Sequence, residues 1–138
     1  MNITSFRARH AMGHIVRGPA LVAHDGFSAR YDLDRIAGIF SRPAHKLAGQ
    51  SYVGKILVLD TAKGGVATAW MLHDMMARGV VPLALVFNSV NPILVQGAAL
   101  ANMPMLVGFD EDITAAVPNG AQVEVNPQSG ILSLCDKV

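Results

Sequence analysis

Between residues 55 and 107 the apolar positions fall into three short unbroken runs, separated by two segments with helical spacing. The first run, Lys55-Ile56-Leu57-Val58-Leu59, is aliphatic and bounded by small residues, which predicts a buried strand. Apolar residues then recur at Ala69, Leu72, Met75, Met76 and Gly79, with Asp74 and Arg78 four apart on the polar side. That spacing predicts an amphipathic helix with one exposed face. Pro82-Leu83-Ala84-Leu85-Val86-Phe87 reads as a second buried strand, and Asn91-Pro92 as a helix start with Asn91 capping and Pro92 in the first helical position. Ile93, Leu94, Gly97, Ala98 and Ala101 form the expected inner face of this helix, and Pro104-Met105-Leu106-Val107 a third strand. A β-α-β-α-β succession implies parallel strands joined by right-handed crossovers.

The flanks read as β structure and loops. His14-Ile15-Val16 and Ala20-Leu21-Val22-Ala23 lie either side of Gly18-Pro19, which punctuates an extended region. Ala29-Arg30-Tyr31-Asp32-Leu33 has weak strand character, and residues 36–51, with Gly38, Pro43 and Gly49, predict a long irregular functional loop. Asn119-Gly120 marks a turn, and Gln122-Val123-Glu124-Val125 with Ile131-Leu132-Ser133-Leu134 a terminal hairpin around Gly130. The expected fold is α/β, with a β-rich N-terminal half packed on a parallel layer. No linker, repeat or low-complexity run divides residues 1–138, so one domain is expected.

Candidate chemistry concentrates where the first strand runs through Thr61-Ala62-Lys63-Gly64-Gly65 into the first helix. A strand that turns through glycines into a helix presents free backbone N–H groups backed by the helix dipole, and these suit a carboxylate or a phosphate. Lys63 adds a full positive charge. The same glycines also serve a plain βα turn. The segment lacks the Gly-Lys-Ser/Thr of a phosphate-binding P-loop and the G-x-G-x-x-G of a dinucleotide site, so no nucleotide is implied.

Composition narrows the classes. Of 138 residues, 51% are hydrophobic and 15% charged, and 11 basic against 10 acidic residues leave a net charge of +1. That balance gives no electrostatic case for nucleic acid. No window approaches the roughly 18 uninterrupted apolar residues of a membrane span. The N-terminus lacks the apolar core of a secretory signal, so a cytoplasmic location is the default. The apolar surplus points to a surface buried against another chain, and a tight core explains part of it. Cys135 alone forms no internal disulfide, iron–sulfur site or structural zinc site. His10, His14, His24 and His73 show no ligand-like spacing with carboxylates, so no metal is expected on this chain; Met71, Met75 and Met76 read as packing.

An ordered series of short motifs resembles the small, swivelling subunit of the aconitase X family. It covers residues 13–134: Gly18 with Ala20-Leu21-Val22, Asp25-Gly26-Phe27-Ser28, His45 with Gly49-Gln50-Ser51, and Gly54-Lys55-Ile56-Leu57-Val58-Leu59. Lys63-Gly64-Gly65 and Asn91-Pro92-Ile93-Leu94-Val95-Gln96-Gly97-Ala98 complete it. The resemblance implies a swivelling β/β/α domain like the mobile domain of aconitase, paired with a larger subunit in an iron-dependent dehydratase. Members act on phosphomevalonate in archaea and on hydroxyprolines in bacteria. By the same resemblance, iron or an iron–sulfur cluster belongs to the larger partner, and this chain contributes donors for a small carboxylate substrate.

One departure from the family bears on mechanism. Many members carry a serine-rich loop after the central strand, whose serine is the expected proton acceptor; here Gly65 and Val66 occupy that place. The base then moves to Thr68, to Ser51 or to the partner, or the branch has altered chemistry. Lys63, Gly64, Gly65 and Val66 remain candidates for gripping the substrate, together with Ser28. Arg30 is either a forked carboxylate clamp or an ordinary solvated arginine. His45 is either an acid or base near neutral pH or a loop histidine bonded to nearby backbone. A phosphohistidine carrier, another use of the swivelling fold, needs a histidine on the glycine loop, and residues 63–70 contain none. A binding or scaffolding module that has lost catalysis stays open as the alternative.

Overall fold

The structure, a computed structural model, describes residues 5–29, 31–62, 66–90 and 92–135, without the side chains of residues 66–68. Its strands are β1 (Ser5–Arg7), β2 (His10–Met12), β3 (Val16–Val22), β4 (Gly26–Phe27), β5 (Leu33–Asp34), β6 (Ile39–Phe40), β7 (Ile56–Ala62), β8 (Ala84–Ser89), β9 (Met105–Val107), β10 (Gln122–Asn126) and β11 (Ile131–Leu134). Its helices are α1 (Val66–Arg78), α2 (Pro92–Leu100) and α3 (Ile113–Ala116).

The three apolar runs become β7, β8 and β9, which pair in parallel from Ile56↔Ala84 and Leu85↔Met105 onward. Strand alternation divides their side chains between two cores. Leu57, Leu59, Leu85 and Phe87 pack with Leu72 and Met75 of α1 and Leu94 and Ala98 of α2. Ile56, Val58, Ala84 and Val86 pack with Phe109, Ile113, Val123, Val125 and Leu132. Both faces of the parallel layer are covered, which is why these strands are apolar throughout rather than alternating.

The helices follow the predicted spacing. Arg78 Nε donates to Asp74 Oδ2 at 3.0 Å on the exposed side of α1. Gly79, at φ +74°, ends that helix in the left-handed region, where Val80 N donates back to Met75 O. On α2, Leu94, Gly97 and Ala98 are buried, but Ile93 is 44% exposed rather than on the inner face. Gly97 is where the helices meet: a Cβ built there would lie 2.3 Å from Ala69 Cβ. Asn91, the expected cap, is outside the described residues.

The β-rich half departs from the sequence reading in two places. Gly18-Pro19 does not break the strand. β3 runs through it and changes partner there, with Val16 to Pro19 antiparallel to β10 and Ala20 to Val22 parallel to β7. In place of the strand expected at residues 29–33, Ala29, Tyr31 and Asp32 are turn, and Leu33 is in a strand, as the start of β5. Polar anchoring wins over weak strand propensity here, because Asp32 N donates to Ser28 O and Ser28 N to Asp32 Oδ2. Residues 36–51 are mostly irregular as expected, yet Phe40, His45 and Leu47 pack into the core. The hairpin β10–β11 forms in the predicted place.

Strand order is β1-β11-β10-β3-β7-β8-β9-β2, with β4 also on β7. β1 and β2 therefore lie at opposite ends of the path although only two residues separate them. Ala8 N donates to Gly130 O, and Arg9 N to Val107 O and Gly108 O, tying the two ends together.

Candidate functional site

All the parallel strands finish on one edge of the layer, where open α/β sheets commonly hold ligands. Thr61 and Ser89 are register partners there, and Ser89 Oγ donates to Thr61 Oγ1 at 3.1 Å. By strand alternation this hydroxyl pair belongs to the α1–α2 face. Their neighbours Asp60 and Asn88 point to the α3 face. Asn88 Nδ2 donates to Asp60 Oδ1 (3.0 Å) and Asp112 Oδ1 (2.8 Å), while its Oδ1 accepts from Ile113 N. Asp112 caps α3, accepting from Thr114 N at 3.0 Å and Thr114 Oγ1 at 2.7 Å. The hydroxyl of Thr114 and the amide of Asn88 hold the Asp112 carboxyl below its ordinary pKa, so it stays ionised. His24 Nδ1 completes the group, 3.0 Å from Thr114 Oγ1 and 3.5 Å from Asp112 Oδ2.

A second polar group braces the start of the site. β4 pairs with the end of β7 at Gly26↔Thr61 and Phe27↔Ala62, so Ser28 follows just beyond the last paired residue. Ser28 is buried, and its Oγ accepts from Tyr31 N at 3.3 Å. Asp25 accepts from Gly26 N (2.7 Å) and Lys46 N (3.1 Å). Burial alone would raise its pKa, but these N–H bonds, with charge from Arg42, lower it instead. Arg42 bonds Asp32 through Nε and lies 3.8 Å from Asp25, which keeps the guanidinium firmly protonated.

The structure brings Ser28 to the carboxyl edge of β7. Val66 and Thr68 belong to the first turn of α1, with their side chains outside the described residues, as are Arg30, Lys63, Gly64 and Gly65. His45 sits beneath this region with a fully buried side chain. Its Nδ1 accepts from Leu47 N, so Nε2 carries the proton and donates to Gly26 O at 2.8 Å. It stacks on Phe40 and secures the backbone of β4; the loop histidine bonded to backbone is the observed arrangement. Ser51 is not brought to this edge. It bridges Ile39, and the adjoining Gly38 and Val53 pack by Val80 beyond the C-terminus of α1, toward the opposite edge. Its Oγ is engaged by Val53 N at 3.2 Å. The reason is topological, since Ser51 precedes β7 whereas the site follows it.

Sequence reading passed over Asp60, Asn88, Ser89, Asp112 and Thr114, named Thr61 only as part of the glycine loop, and weighed His24 only as a metal ligand. A usable signal existed: Asp60-Thr61 and Asn88-Ser89 are the first polar pairs after two buried runs, which marks strand ends. Among the described residues no three His, Cys, Asp or Glu side chains converge as metal ligands, so the donor set does not fit an iron centre. No helix among them is long and apolar enough to cross a membrane. Trp70 and Leu100, with Ile93, line an exposed apolar groove between α1 and α2.

Comparison with known proteins matches this architecture. The phosphomevalonate dehydratase small subunit of Archaeoglobus fulgidus is 31% identical over 119 residues, covering 86% of this chain and 89% of that protein. The one from Methanocella arvoryzae is 28% identical over 117 residues, covering 85% and 89%. The crystal structure of Thermococcus kodakaraensis aconitase X in its holo-form superposes with a TM-score of 0.88 at 24% identity, covering 96% of this chain and 99% of that one. The family model for the aconitase X swivel domain matches residues 5–134. With the partner-switching β3, the parallel layer and the polar carboxyl edge in place across that whole span, the chain belongs to the aconitase X swivel-domain family.

Proposed function

We propose that this chain is the small subunit of a hydro-lyase that removes water from a small hydroxy acid, such as a 3-hydroxyproline or a phosphomevalonate-like compound, and that it works only with a larger aconitase X subunit. The observation that carries this reading is the β7–α1 junction. A buried parallel strand ends beside Ser28 and the Ser89–Thr61 hydroxyl pair, and a helix of 13 residues starts at Val66 with its dipole aimed back at that edge. The substrate carboxylate is assigned to the N–H groups at the entry to α1, with Lys63 supplying charge, Gly64 and Gly65 leaving room for the approach, and Arg30 as a clamp. Dehydration next to a carboxylate builds negative charge on its oxygens, and fixed donors there stabilise the transition state. His45, Arg42, Asp25 and Asp32 hold the strand that carries Ser28.

A Lewis acid draws the hydroxyl away in such reactions. The iron or iron–sulfur centre that would supply this is assigned to the larger subunit, and this chain contributes the groups that bind the substrate. A second reading, a binding module without catalysis, draws on Gly65 and Val66 at the place of the family's serine. The test is to mix the chain with the large subunit from the same organism, then assay water loss from 3-hydroxyprolines and phosphomevalonate. A stable complex with turnover is expected. Unchanged elution of both chains at micromolar concentration, or a complex that dehydrates neither substrate class, would favour the second reading.

A further inference from the structure

We infer that His24 is a proton acceptor of this site, held by Thr114 and Asp112 so that its Nε2 is presented at the carboxyl edge of the sheet. The inference rests on the dehydratase reading and names a group to replace the missing serine. The direction of each hydrogen bond fixes the tautomer. Thr114 has one hydroxyl proton and gives it to Asp112 Oδ1 at 2.7 Å. Towards His24 Nδ1, 3.0 Å away, the same oxygen can only accept, so Nδ1 carries a proton. Asp112 Oδ2 at 3.5 Å favours that proton too. Nε2 is left as the basic nitrogen, and among the described residues it has no hydrogen-bond partner; the side chain is 59% exposed.

The relay behind His24 is anchored. Asn88 donates to both Asp112 and Asp60 and accepts from Ile113 N, which ties α3 to the ends of β7 and β8. A carboxylate that orients a histidine through Nδ1 and stabilises its imidazolium is the arrangement that makes imidazole an effective base. The charged groups near His24 are Asp112 on α3, Asp60 through Asn88, Asp25 next in the chain with Arg42 3.8 Å from it, and Lys46, whose Nζ donates to the His24 carbonyl at 2.9 Å. Asp112 Oδ2, 3.5 Å from Nδ1, is the carboxylate that faces the imidazolium formed on proton uptake.

In the step assigned to it, the Nε2 lone pair takes the proton from the carbon beside the substrate carboxylate. The electrons of that C–H bond form the carbon–carbon double bond as the C–O bond breaks, and the hydroxyl leaves with a proton from solvent as water. The imidazolium then returns its proton to solvent. Substrate becomes unsaturated acid plus water, with no redox change.

The experiment uses the reconstituted complex of both subunits. His24→Gln should lower kcat by about 10²–10⁴ with KM changed far less, and should remove the acid limb of the pH profile. Thr114→Val, which keeps the imidazole but cuts the relay, should lower kcat less and shift that limb. On the small subunit alone, nitrogen NMR of the neutral His24 ring should find the proton on Nδ1. A His24→Gln complex with unchanged kcat and an unchanged acid limb overturns the inference, and so does a neutral His24 with its proton on Nε2. If the wild-type complex dehydrates nothing although Nδ1 holds the proton, the dehydratase reading itself falls, and the proton-acceptor role with it.

Discussion

Replacing Gly97 with alanine tests how tightly the entry to α1 is fixed. The added Cβ would sit 2.3 Å from Ala69 Cβ and 2.7 Å from Ala69 Cα, inside the roughly 3.5–4.0 Å of ordinary carbon contact. The obstacle includes backbone, so α1 and α2 must part by about 1 Å or more at their crossing to restore contact distance. Overpacking of this kind costs about 1–3 kcal/mol, and the rigid obstacle argues for the upper half of that range. Alanine returns roughly 0.8–1.0 kcal/mol of helix propensity over glycine. The net loss is about 1–2 kcal/mol, which lowers the melting temperature of a domain this size by roughly 4–8 °C. Ala69 lies three residues after the start of α1, so the same displacement moves the first turn that the proposed carboxylate site uses. Urea unfolding followed by circular dichroism reads the stability, and turnover of the reconstituted complex reads the site. Ala69→Gly in the same chain should recover part of the loss, because it removes the 2.3 Å contact and leaves the 2.7 Å one. A Gly97→Ala protein at least as stable as wild type would refute the reasoning.

The carboxyl groups of Asp25, Asp34 and Asp112 lie below the ordinary 3.8 in the folded chain, Asp34 because Ala37 N and Ile36 N donate to it. Their stabilisation is complete above about pH 4 and is lost as pH falls through the lowered values. Asp25→Asn should therefore melt below wild type near about pH 6 and converge with it in strong acid; a gap that persists undiminished in acid would refute this. Burial raises Tyr52 to about 12, above its ordinary 10, so its contribution is full below pH 10 and disappears as pH climbs to about 12. Ultraviolet titration should find a late phenolate step that Tyr52→Phe abolishes, and its absence would count against the packing around Tyr52.

The parallel layer was legible because each buried strand is a continuous apolar run and each helix keeps its own period, as at Leu72 and Met75 or Leu94 and Ala98. The site was only half legible. Ser28 was singled out from the Asp25-Gly26-Phe27-Ser28 motif, and the structure sets it just beyond the end of β4, whereas His24 and Asp112 stand 88 residues apart and meet only where α3, a helix of four residues, packs against the sheet. No local spacing reports such a meeting. Ser51 misled in the opposite sense, since nearness in sequence to β7 put it by the wrong end of the strand. The turn at Ala29, Tyr31 and Asp32 escaped because the bonds between Ser28 and Asp32 that fix it, and the Arg42–Asp32 pair behind them, leave no mark on strand propensity.

The joining of β1 and β2 to the two ends of the sheet imposes an order on folding. β1 pairs with residues 131–133 and β2 with residues 105–107, so the earliest described strands are partnered by some of the latest. During synthesis the layer of β3, β7, β8 and β9 is complete once residue 107 is available, but the first segment has only one of its two docking places until β11 emerges. Such long-range pairing is slow to form. Until it forms, both ends of the strand path keep unpaired backbone groups that another growing chain can meet. The last act of folding is thus performed by residues synthesised near the start, and ribosome-bound chains stopped before residue 131 should be the most prone to associate with one another.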